Sequence, residues 1–433
     1  MKLKLKRELG LFEVTVNGVG IILGAGIYAL IGPAAGLAGN SLWLSFVIGA
    51  FIASFTGLSY AELSTMFPKA AAEYTYVRKA YGGKFLSFLV GWLLVFTGVV
   101  STATVTLGFA GYFYSLFGEI ISISKNFLII LTASILIVIL SFINFLGIKE
   151  SSKFNIIFTA IEALALIFII LIGLPYFGRV NYLETTNGLK GILSGAALIF
   201  FAYIGFEDIS NIAEEIKNPK KAIPRAIILA ILITTLLYVL TSISVVSLVD
   251  WRELGNSDTS LALAASKVLG TNAYWLISFV ALFATANTAL IMMIATSRMM
   301  YGMARDKSLP EELTLIHERT RTPWIAAIVV MVFSIVFLFF GKITVVANIT
   351  SLSMFITFAA VNLSLIWLRY TMPKMKRAFK VPLNIGKFPL LAFFGTLICL
   401  FMITQFRLEL IVFSSLVIVI GIIVYEVYIK KFM

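Results

Sequence analysis

The sequence predicts an all-α protein that crosses a lipid bilayer many times. Of its 433 residues, 60% are hydrophobic and only 13% are charged, the mean hydropathy is +1.01, and long apolar runs recur along the chain. An apolar helix of about 20 residues crosses the roughly 30 Å hydrocarbon core of a bilayer. Such a helix satisfies its own backbone hydrogen bonds, which lipid cannot do. A soluble protein of this size has no room to bury so much apolar surface.

The apolar runs, taken in order, predict twelve spans joined by short connections. They cover residues 12–37, 42–66, 85–114, 127–146, 154–174, 189–210, 223–248, 272–300, 324–341, 344–368, 388–404 and 409–429. With the N-terminus inside, 27 of the 34 Lys and Arg residues fall on the inner side, as the positive-inside rule requires. We therefore expect a multi-pass protein of the plasma membrane with both termini in the cytoplasm. The net charge of +13 then reflects a basic face against anionic lipid, without nucleic acid as a partner.

Composition also limits the chemistry. The chain has one cysteine, Cys399, and one histidine, His317, so an intramolecular disulfide is excluded and no Cys/His cluster is available to hold a metal. We therefore expect no metal and no cofactor apart from a coupling ion. No nucleophile–base pair is evident, so we expect no enzyme.

The first span is interrupted by glycine. Six glycines lie between Leu11 and Leu37, namely Gly18, Gly20, Gly24, Gly26, Gly32 and Gly36. Each costs roughly 1 kcal/mol relative to alanine in a helix interior, so a segment that only crossed lipid would avoid them. The run Leu23–Ile27 predicts a break whose second half points backbone N–H groups, at its positive dipole end, towards a carboxylate. Glycines that serve close helix packing are the alternative.

Two of the acidic residues inside the predicted spans, Glu162 and Glu62, have separate expected roles. Glu162 lies near the middle of the fifth span, and at a rise of about 1.5 Å per residue this is close to the bilayer midplane. A buried carboxyl is usually neutral unless it is paired, so Glu162 is a candidate for proton or cation coupling. A hydrogen bond that serves packing alone is the alternative. Glu62, near the inner end of the second span, is expected to pair with an interfacial Arg or Lys.

The sixth span is interrupted as well. The run Phe200–Asp208 places Gly205 among aromatic residues and ends in two acids. Carbonyls left free near Tyr203 suit an ammonium group, while the break in the first span suits a carboxylate, so the two breaks together predict an α-amino acid site. Broken helices at matching positions of two halves are typical of secondary transporters.

Three side chains beside this second break have alternative roles. Phe206 is expected to close over the ligand as an aromatic gate, or else to pack in the core. Glu207 and Asp208 are expected to face the outer vestibule or to pair with a basic partner, since charges at this depth face a cavity or a partner. Direct contact with the substrate stays open for both acids.

A polar inner loop follows the sixth span. It runs from Ala213 through Asn218-Pro219 to Arg225, and its Asn-Pro and Ile-Pro pairs are turn and helix-start signals. We interpret it as a connector, with a latch through charge pairs as a further role that spacing alone does not establish.

At these residues the sequence resembles the amino acid–polyamine–organocation (APC) superfamily. The matching motifs are Gly24-Ala25-Gly26-Ile27; Phe201-Ala202-Tyr203-Ile204-Gly205-Phe206-Glu207; Ala213-Glu214-Glu215 with Asn218-Pro219 and Pro224-Arg225; and Tyr301-Gly302-Met303-Ala304-Arg305-Asp306 with Leu309-Pro310. They follow the order of the superfamily. The aromatic motif is most similar to that of the cationic amino acid transporter branch and its prokaryotic relatives.

The resemblance implies the LeuT-type fold, with two inverted repeats of five helices, broken helices 1 and 6, and two further C-terminal helices. The single transporter domain, 1–433, would then hold a first repeat at 1–178, a second at 179–370 and helices 11 and 12 at 371–433. The implied substrate-binding residues are Ile22, Gly24, Ala25, Gly26, Ala202, Tyr203, Gly205 and Phe206.

The chain departs from the family pattern at one position. Several proton-coupled prokaryotic relatives carry a lysine in helix 5, whose ammonium stands in for a sodium ion beside helices 1 and 8. The corresponding residue here is Glu162, so the charge is reversed. Proton uptake, attraction of a cation such as Na⁺, and exchange without an ion are the mechanisms left open.

The sequence therefore predicts a secondary active amino acid transporter that works by alternating access, as a proton-coupled symporter or an exchanger. A polyamine or amino acid/amine antiporter of the same fold is the nearest alternative. A channel is less favoured, because it needs a continuous polar path and usually oligomeric symmetry. The substrate side chain, the direction of transport and the oligomeric state stay open.

Overall fold

The computed structural model describes residues 5–118, 124–257, 259–339 and 343–429. Its helices are α1 Leu11–Leu23, α2 Ala25–Ala38, α3 Leu42–Met66, α4 Ala72–Tyr81, α5 Lys84–Phe117, α6 Lys125–Leu146, α7 Ile148–Gly173, α8 Gly188–Ile199, α9 Asp208–Asn211, α10 Pro219–Leu248, α11 Trp251–Gly255, α12 Ser260–Leu269, α13 Thr271–Arg305, α14 Trp324–Phe337, α15 Ile343–Thr371, α16 Leu390–Ile403 and α17 Leu408–Val424. Two short strands, β1 Asn384–Ile385 and β2 Phe388–Pro389, pair antiparallel.

Both expected interruptions are confirmed. The first span consists of α1 and α2, which meet at Gly24, where ψ is −133° and the helix cannot continue. In the sixth span, α8 passes into a 3₁₀ turn at Phe200–Tyr203. An irregular segment then leads to α9, with Gly205 at φ +128°, a conformation that favours glycine.

Nine segments of the described ranges are long and apolar enough to cross a membrane, and the first of them, Leu11–Met66, holds α1, α2 and α3. Two predicted spans, 324–341 and 388–404, correspond to the shorter helices α14 and α16. Each has 14 residues, or about 21 Å at 1.5 Å per residue. The protein is thus a mostly helical, multi-pass membrane protein.

The interrupted spans lie at the centre of the helix packing. α1 packs against α7, α10 and α13, while α2 packs against α8, and α5 packs along α13. Small residues permit this approach, since a Cβ on Gly24 would collide with the Thr288 side chain of α13.

The two ends of the helices define two faces. We call the face with the start of α1, α4 and the C-terminal end of α13 the basic face, because most Lys and Arg residues lie there. The other face, with the end of α2 and the start of α8, is called the opposite face.

Candidate functional site

The two helix breaks touch each other. A Cβ on Gly26 would collide with the backbone of Ala202, so the chains at the two breaks pack without a side chain between them. The Tyr238 hydroxyl of α10 donates to the carbonyl oxygen of Ile22 and, at 3.1 Å, to that of Ala202. One side chain therefore caps both interrupted helices at the carbonyl groups that the breaks leave without helical partners.

The start of α2 is held from the neighbouring helix α13. The backbone N–H of Ala25 donates to the Thr288 hydroxyl at 3.1 Å, and Thr288 in turn donates to the Ala284 carbonyl at 3.1 Å. The first turn of α2 thus points its N–H groups into the interface between the interrupted spans and α13. An anion bound there gains from the helix dipole.

A small apolar cavity adjoins this helix start. Its walls come from α2, α5, the 3₁₀ turn of the sixth span and α15, and its lining residues are Ala25, Ala29, Leu30, Thr104, Val105, Gly108, Phe201 and Ala347. The Thr104 hydroxyl is the one side-chain hydrogen-bonding group of this lining, and it donates to the Val100 carbonyl of its own helix. The cavity therefore suits an apolar group.

A much larger cavity, about 1360 Å³, opens towards the opposite face. Its rim includes Lys190, Arg252 and Arg407, and its floor reaches Thr104, which also lines the small cavity. Thr104 of α5 therefore lies at both cavities, and the small cavity at the first-span break is beside the cavity that opens towards the opposite face.

The basic face is closed by ion pairs between α13 and the loop after the sixth span. Arg298 pairs with Glu215 at 3.2 Å with both side chains buried, and Arg305 pairs with Glu214 at 2.7 Å in a more exposed position. Both pairs join the Ala213–Arg225 loop to α13, within the same predicted repeat, so a latch of one repeat against the other stays a prediction. The N-terminal segment adds to the closure, because the N–H groups of Glu8 and Leu9 donate to the Glu215 carbonyl.

Glu162 is fully buried in α7, between the first span and α13. Its Oε1 accepts a hydrogen bond from Asn287 Nδ2 at 3.1 Å, its Oε2 has no partner, and its backbone carbonyl accepts from the Tyr28 hydroxyl at 3.2 Å. In the described part of the chain no Lys or Arg forms an ion pair with this carboxyl. The Glu162 carboxyl therefore lies beside the first span and α13 without a fixed counter-charge.

A hydrogen-bonded chain leads away from Glu162. Asn287 also donates to the Thr159 hydroxyl at 3.3 Å, Thr159 donates to Asn155 Oδ1 at 3.0 Å, and Asn155 donates to Asn17 of α1. Asn17 and Asn155 line a second small cavity, which lies nearer the basic face. Hydrogen-bonded side chains thus link the Glu162 carboxyl to this cavity on the basic-face side.

Phe206 and Tyr203, two expected site residues of the sixth span, do not line the small apolar cavity. Phe206 does not face a cavity: it is fully buried and packs on Tyr60 and Phe358, with ring centroids 5.8 and 5.2 Å apart. The aromatic ring that lines the small cavity is Phe201. Tyr203 turns away as well, since its hydroxyl donates to the Phe46 carbonyl at 3.0 Å.

Glu207 and Asp208 were expected in an outer vestibule or beside a basic partner, and the side of the membrane that they face stays a prediction. Both follow the break, on its basic-face side, because the sixth span runs from the opposite face towards the basic face. Neither lines the large cavity. Glu207 is buried, with its Oε2 accepting from the Gly205 N–H at 2.9 Å, and neither acid has a basic partner within the described residues.

Sequence reasoning missed Tyr238, Thr288, Asn287 and Thr104. The signal that indicates them is a polar side chain in the middle of an apolar run, which lipid disfavours. Glu62 is as expected: it pairs with Arg369 at 2.5 Å and with Arg377 at 2.9 Å.

Comparison with known proteins agrees with this geometry. Residues 9–425 match the family described as amino acid permease. The chain is 30% identical to a branched-chain amino acid permease of Bacillus subtilis over 99% of this chain and 94% of the relative, and 29% identical, with the same coverage, to a methylthioribose transporter of that organism. It is 31% identical to the vacuolar cationic amino acid transporter 4 of Arabidopsis thaliana over 86% of this chain and 64% of the relative.

These relatives are transporters and not enzymes. The chain belongs to the amino acid permease family of the APC superfamily.

Proposed function

We propose that the chain carries neutral, apolar α-amino acids across the plasma membrane as a secondary active transporter. The observation that carries this proposal is the apolar cavity beside the start of α2, which shares Thr104 with an open cavity on the opposite face, while ion pairs close the basic face. An enclosed site reached from one side at a time is the requirement of alternating access. The basic face would be cytoplasmic, with both termini inside.

The proposed binding mode uses both breaks. The substrate carboxylate would lie at the N–H groups of the first turn of α2, and its ammonium group at the carbonyls of the sixth-span break. The cavity between Val105, Phe201 and Ala347 measures about 10 Å³, the space of one water molecule, so the side chain would enter it as these residues move apart. The lining contains no acid to pair with a cationic side chain, and an unpaired buried charge costs several kcal/mol.

The comparisons support the same substrate class. Of two relatives aligned along nearly the whole of both chains, one is named for branched-chain amino acids and the other for methylthioribose, whereas the cationic transporter extends well beyond the aligned part. The lining of the large cavity carries Lys190, Arg252 and Arg407 against one acid, Glu409, and this excess of positive charge disfavours polyamines and the antiporter alternative.

The layout that goes with this function is the twelve-span arrangement with two inverted repeats, at 1–178 and 179–370, and two further helices at 371–433. In this proposal α14 and α16 complete the twelve spans, although each is shorter than the hydrocarbon core is thick. Contact with the flanking basic residues and local thinning of the bilayer accommodate such a mismatch.

Transport in proteoliposomes tests the substrate. Labelled leucine outside should exchange with unlabelled leucine inside, and isoleucine or valine should compete, whereas lysine and putrescine should not. Exchange with lysine or putrescine alone would replace this proposal with the cationic or antiporter alternative. Absence of exchange with every amino acid and amine would refute transport of this kind.

We further propose that Glu162 binds a coupling proton. Its carboxyl is buried without a counter-charge and adjoins both the first span and α13, so protonation there favours close packing of these elements. Glu162→Gln should abolish accumulation driven by a pH gradient while exchange of leucine persists. Glu311→Gln, at an exposed acid of the basic face, is the control and should behave like the unmodified protein. Full accumulation by Glu162→Gln would refute the role of Glu162.

A further inference from the structure

A group of three acids lies on the basic-face side of the sixth-span break. Glu73 of α4 is fully buried, Glu207 is 2% exposed, and Asp208 is partly exposed. Asn211 joins two of them, since its Nδ2 lies 3.4 Å from Glu73 Oε1 and 3.5 Å from Asp208 Oδ1 and donates to both. We call Glu73, Glu207 and Asp208 the inner acid cluster.

The inner acid cluster has no cation of its own. Within 5–118, 124–257, 259–339 and 343–429, no Lys or Arg forms an ion pair with any of the three. The nearby cations on packed elements have other partners, Arg369 at Glu62 and Arg78 at Asp306. Because negative charges this close repel one another, ionisation of one carboxyl of the cluster opposes ionisation of the others.

A polar cavity adjoins the cluster and supplies a second observation. It measures about 30 Å³ and is lined by Glu207 and Asp208 together with Thr97 of α5, which is enough space for one or two water molecules. Thr97 is 5% exposed, and its hydroxyl has no hydrogen-bond partner in the protein. Oε2 of Glu73 also lacks a partner, and the Tyr60 hydroxyl beside it does not reach hydrogen-bond geometry. These groups can accept or donate to water that carries a proton.

Titratable and charged groups on the neighbouring elements surround Glu73. The titratable neighbours are Tyr60 of α3, Tyr76 of α4 itself, and the two acids of the sixth span. α5 and α15 also pack against α4, and their charged groups there are Lys84, which is partly exposed at the start of α5, and Arg369. Burial raises the pKa of Glu73 to about 7, and the hydrogen bond from Asn211 offsets part of that rise.

We propose that the inner acid cluster is a proton-binding site, separate from Glu162, that holds a proton while the basic face is closed and releases it when that face opens. The cluster joins α4 and the sixth span, and its cavity is completed by α5 and α13. Separation of the sixth span from α13 would admit water to the carboxyls, and hydrated carboxyls ionise readily. Only the identification of the basic face as cytoplasmic rests on the proposed function.

The pH dependence has a defined direction. In the closed form the pKa of Glu73 is about 7, and in a hydrated, open form it returns towards the ordinary 4.5. The closed form is therefore fully favoured below pH 4.5 and loses that advantage as pH rises to about 7, by up to about tenfold per pH unit. Above that range the opening no longer depends on this group.

Cysteine labelling measures the opening. Ala295 of α13 is 3% exposed and lines both the cavity at the inner acid cluster and the cavity lined by Asn17 and Asn155. Ala295→Cys in a Cys399→Ala background therefore reports entry of a water-soluble thiol reagent. Glu73→Gln is permanently neutral and should keep the basic face closed at all pH values. Labelling of the parent divided by labelling of the Glu73→Gln protein cancels the ionisation of the thiol itself.

The expected result is a ratio near one below pH 4.5 that rises by tenfold or more and levels off near pH 7. Glu312→Gln, at an exposed acid of the basic face, is the matched control and should follow the parent. A ratio that does not change with pH would overturn the proposal.

A second measurement does not depend on any variant of the cluster. In the Glu162→Gln protein, where Glu162 contributes no signal, the infrared carbonyl stretch of protonated carboxyls should lose intensity with a midpoint near pH 7. A cluster already ionised at pH 5 would overturn the proposal even if Glu73→Gln failed to fold. Neither measurement needs a substrate, so failure of amino acid transport would leave this site standing, and failure of this site would leave transport standing.

Discussion

At the scale of single residues, the site depends on backbone approach more than on side-chain chemistry. Gly26 lets the first span touch Ala202 of the sixth, and the start of α2 offers N–H groups that any residue type would supply. Glycine content in an apolar run is visible in sequence, so the breaks could be predicted. The direction of a side chain such as Phe206 could not, because the sequence does not state which face of an irregular segment packs inwards.

A methyl group at Gly26 should therefore stop transport. Gly26→Ala would collide with the Ala202 backbone and push the two breaks apart, so leucine exchange should fall by at least tenfold, equivalent to about 1.4 kcal/mol, in proteoliposomes. Gly111→Ala is the matched control, since no atom lies within 4 Å of the added Cβ. The control should transport normally and gain up to about 1 kcal/mol of stability from helix propensity. Normal exchange by Gly26→Ala would contradict the contact between the breaks.

At the scale of elements, Tyr238 of α10 connects the two interrupted spans through one hydroxyl. Its partners, Ile22 and Ala202, lie far apart in sequence, and the two spans carry no residue pattern that points to α10. A polar atom inside an apolar helix indicates that some partner exists, whereas the identity of that partner follows only from the packing of α10 on α1. Charged partners were more predictable, as Glu62 illustrates, because Lys and Arg residues are concentrated at its end of the helix.

Removal of this hydroxyl tests the connection. Tyr238→Phe leaves two buried carbonyls without their donor, which costs about 1–3 kcal/mol, so the thermal unfolding temperature of the purified protein should fall and leucine exchange should slow. Tyr370→Phe, at a tyrosine that is 53% exposed, removes the same atom at the surface. The two variants should differ clearly, and equal unfolding temperatures would argue against a structural role for the Tyr238 hydroxyl.

At the scale of the whole molecule, closure of the basic face depends on two ion pairs of unequal worth. Arg305–Glu214 is 42% and 21% exposed, whereas Arg298–Glu215 is 0% and 1% exposed. Burial also raises the pKa of Glu215, and Arg298 opposes that rise. Exposed pairs contribute at most about 1 kcal/mol, while loss of one partner of a buried pair costs about 3–5 kcal/mol. The buried pair should therefore control opening.

Neutral variants of the two acids should separate these contributions. Glu214→Gln should change labelling of Ala295→Cys by less than about fivefold, because its pair is screened by solvent. Glu215→Gln leaves Arg298 buried without a counter-charge and should raise labelling far more and lower the unfolding temperature. Glu215→Gln with Arg298→Met removes the orphaned charge and should restore stability. Equal effects of the two single variants would refute the ranking.

The contact between the N-terminal segment and the loop after the sixth span has a mechanical consequence. Leu9 pairs with Ile216 as two parallel strands would, with the Lys217 N–H donating to the Leu9 carbonyl at 2.8 Å. This backbone pairing connects the basic-face ends of the first and sixth spans, so we expect the two ends to move together about their breaks. A transport cycle then needs a single displacement on this side of the membrane, and a single energy barrier, where two untied half-helices would each have their own.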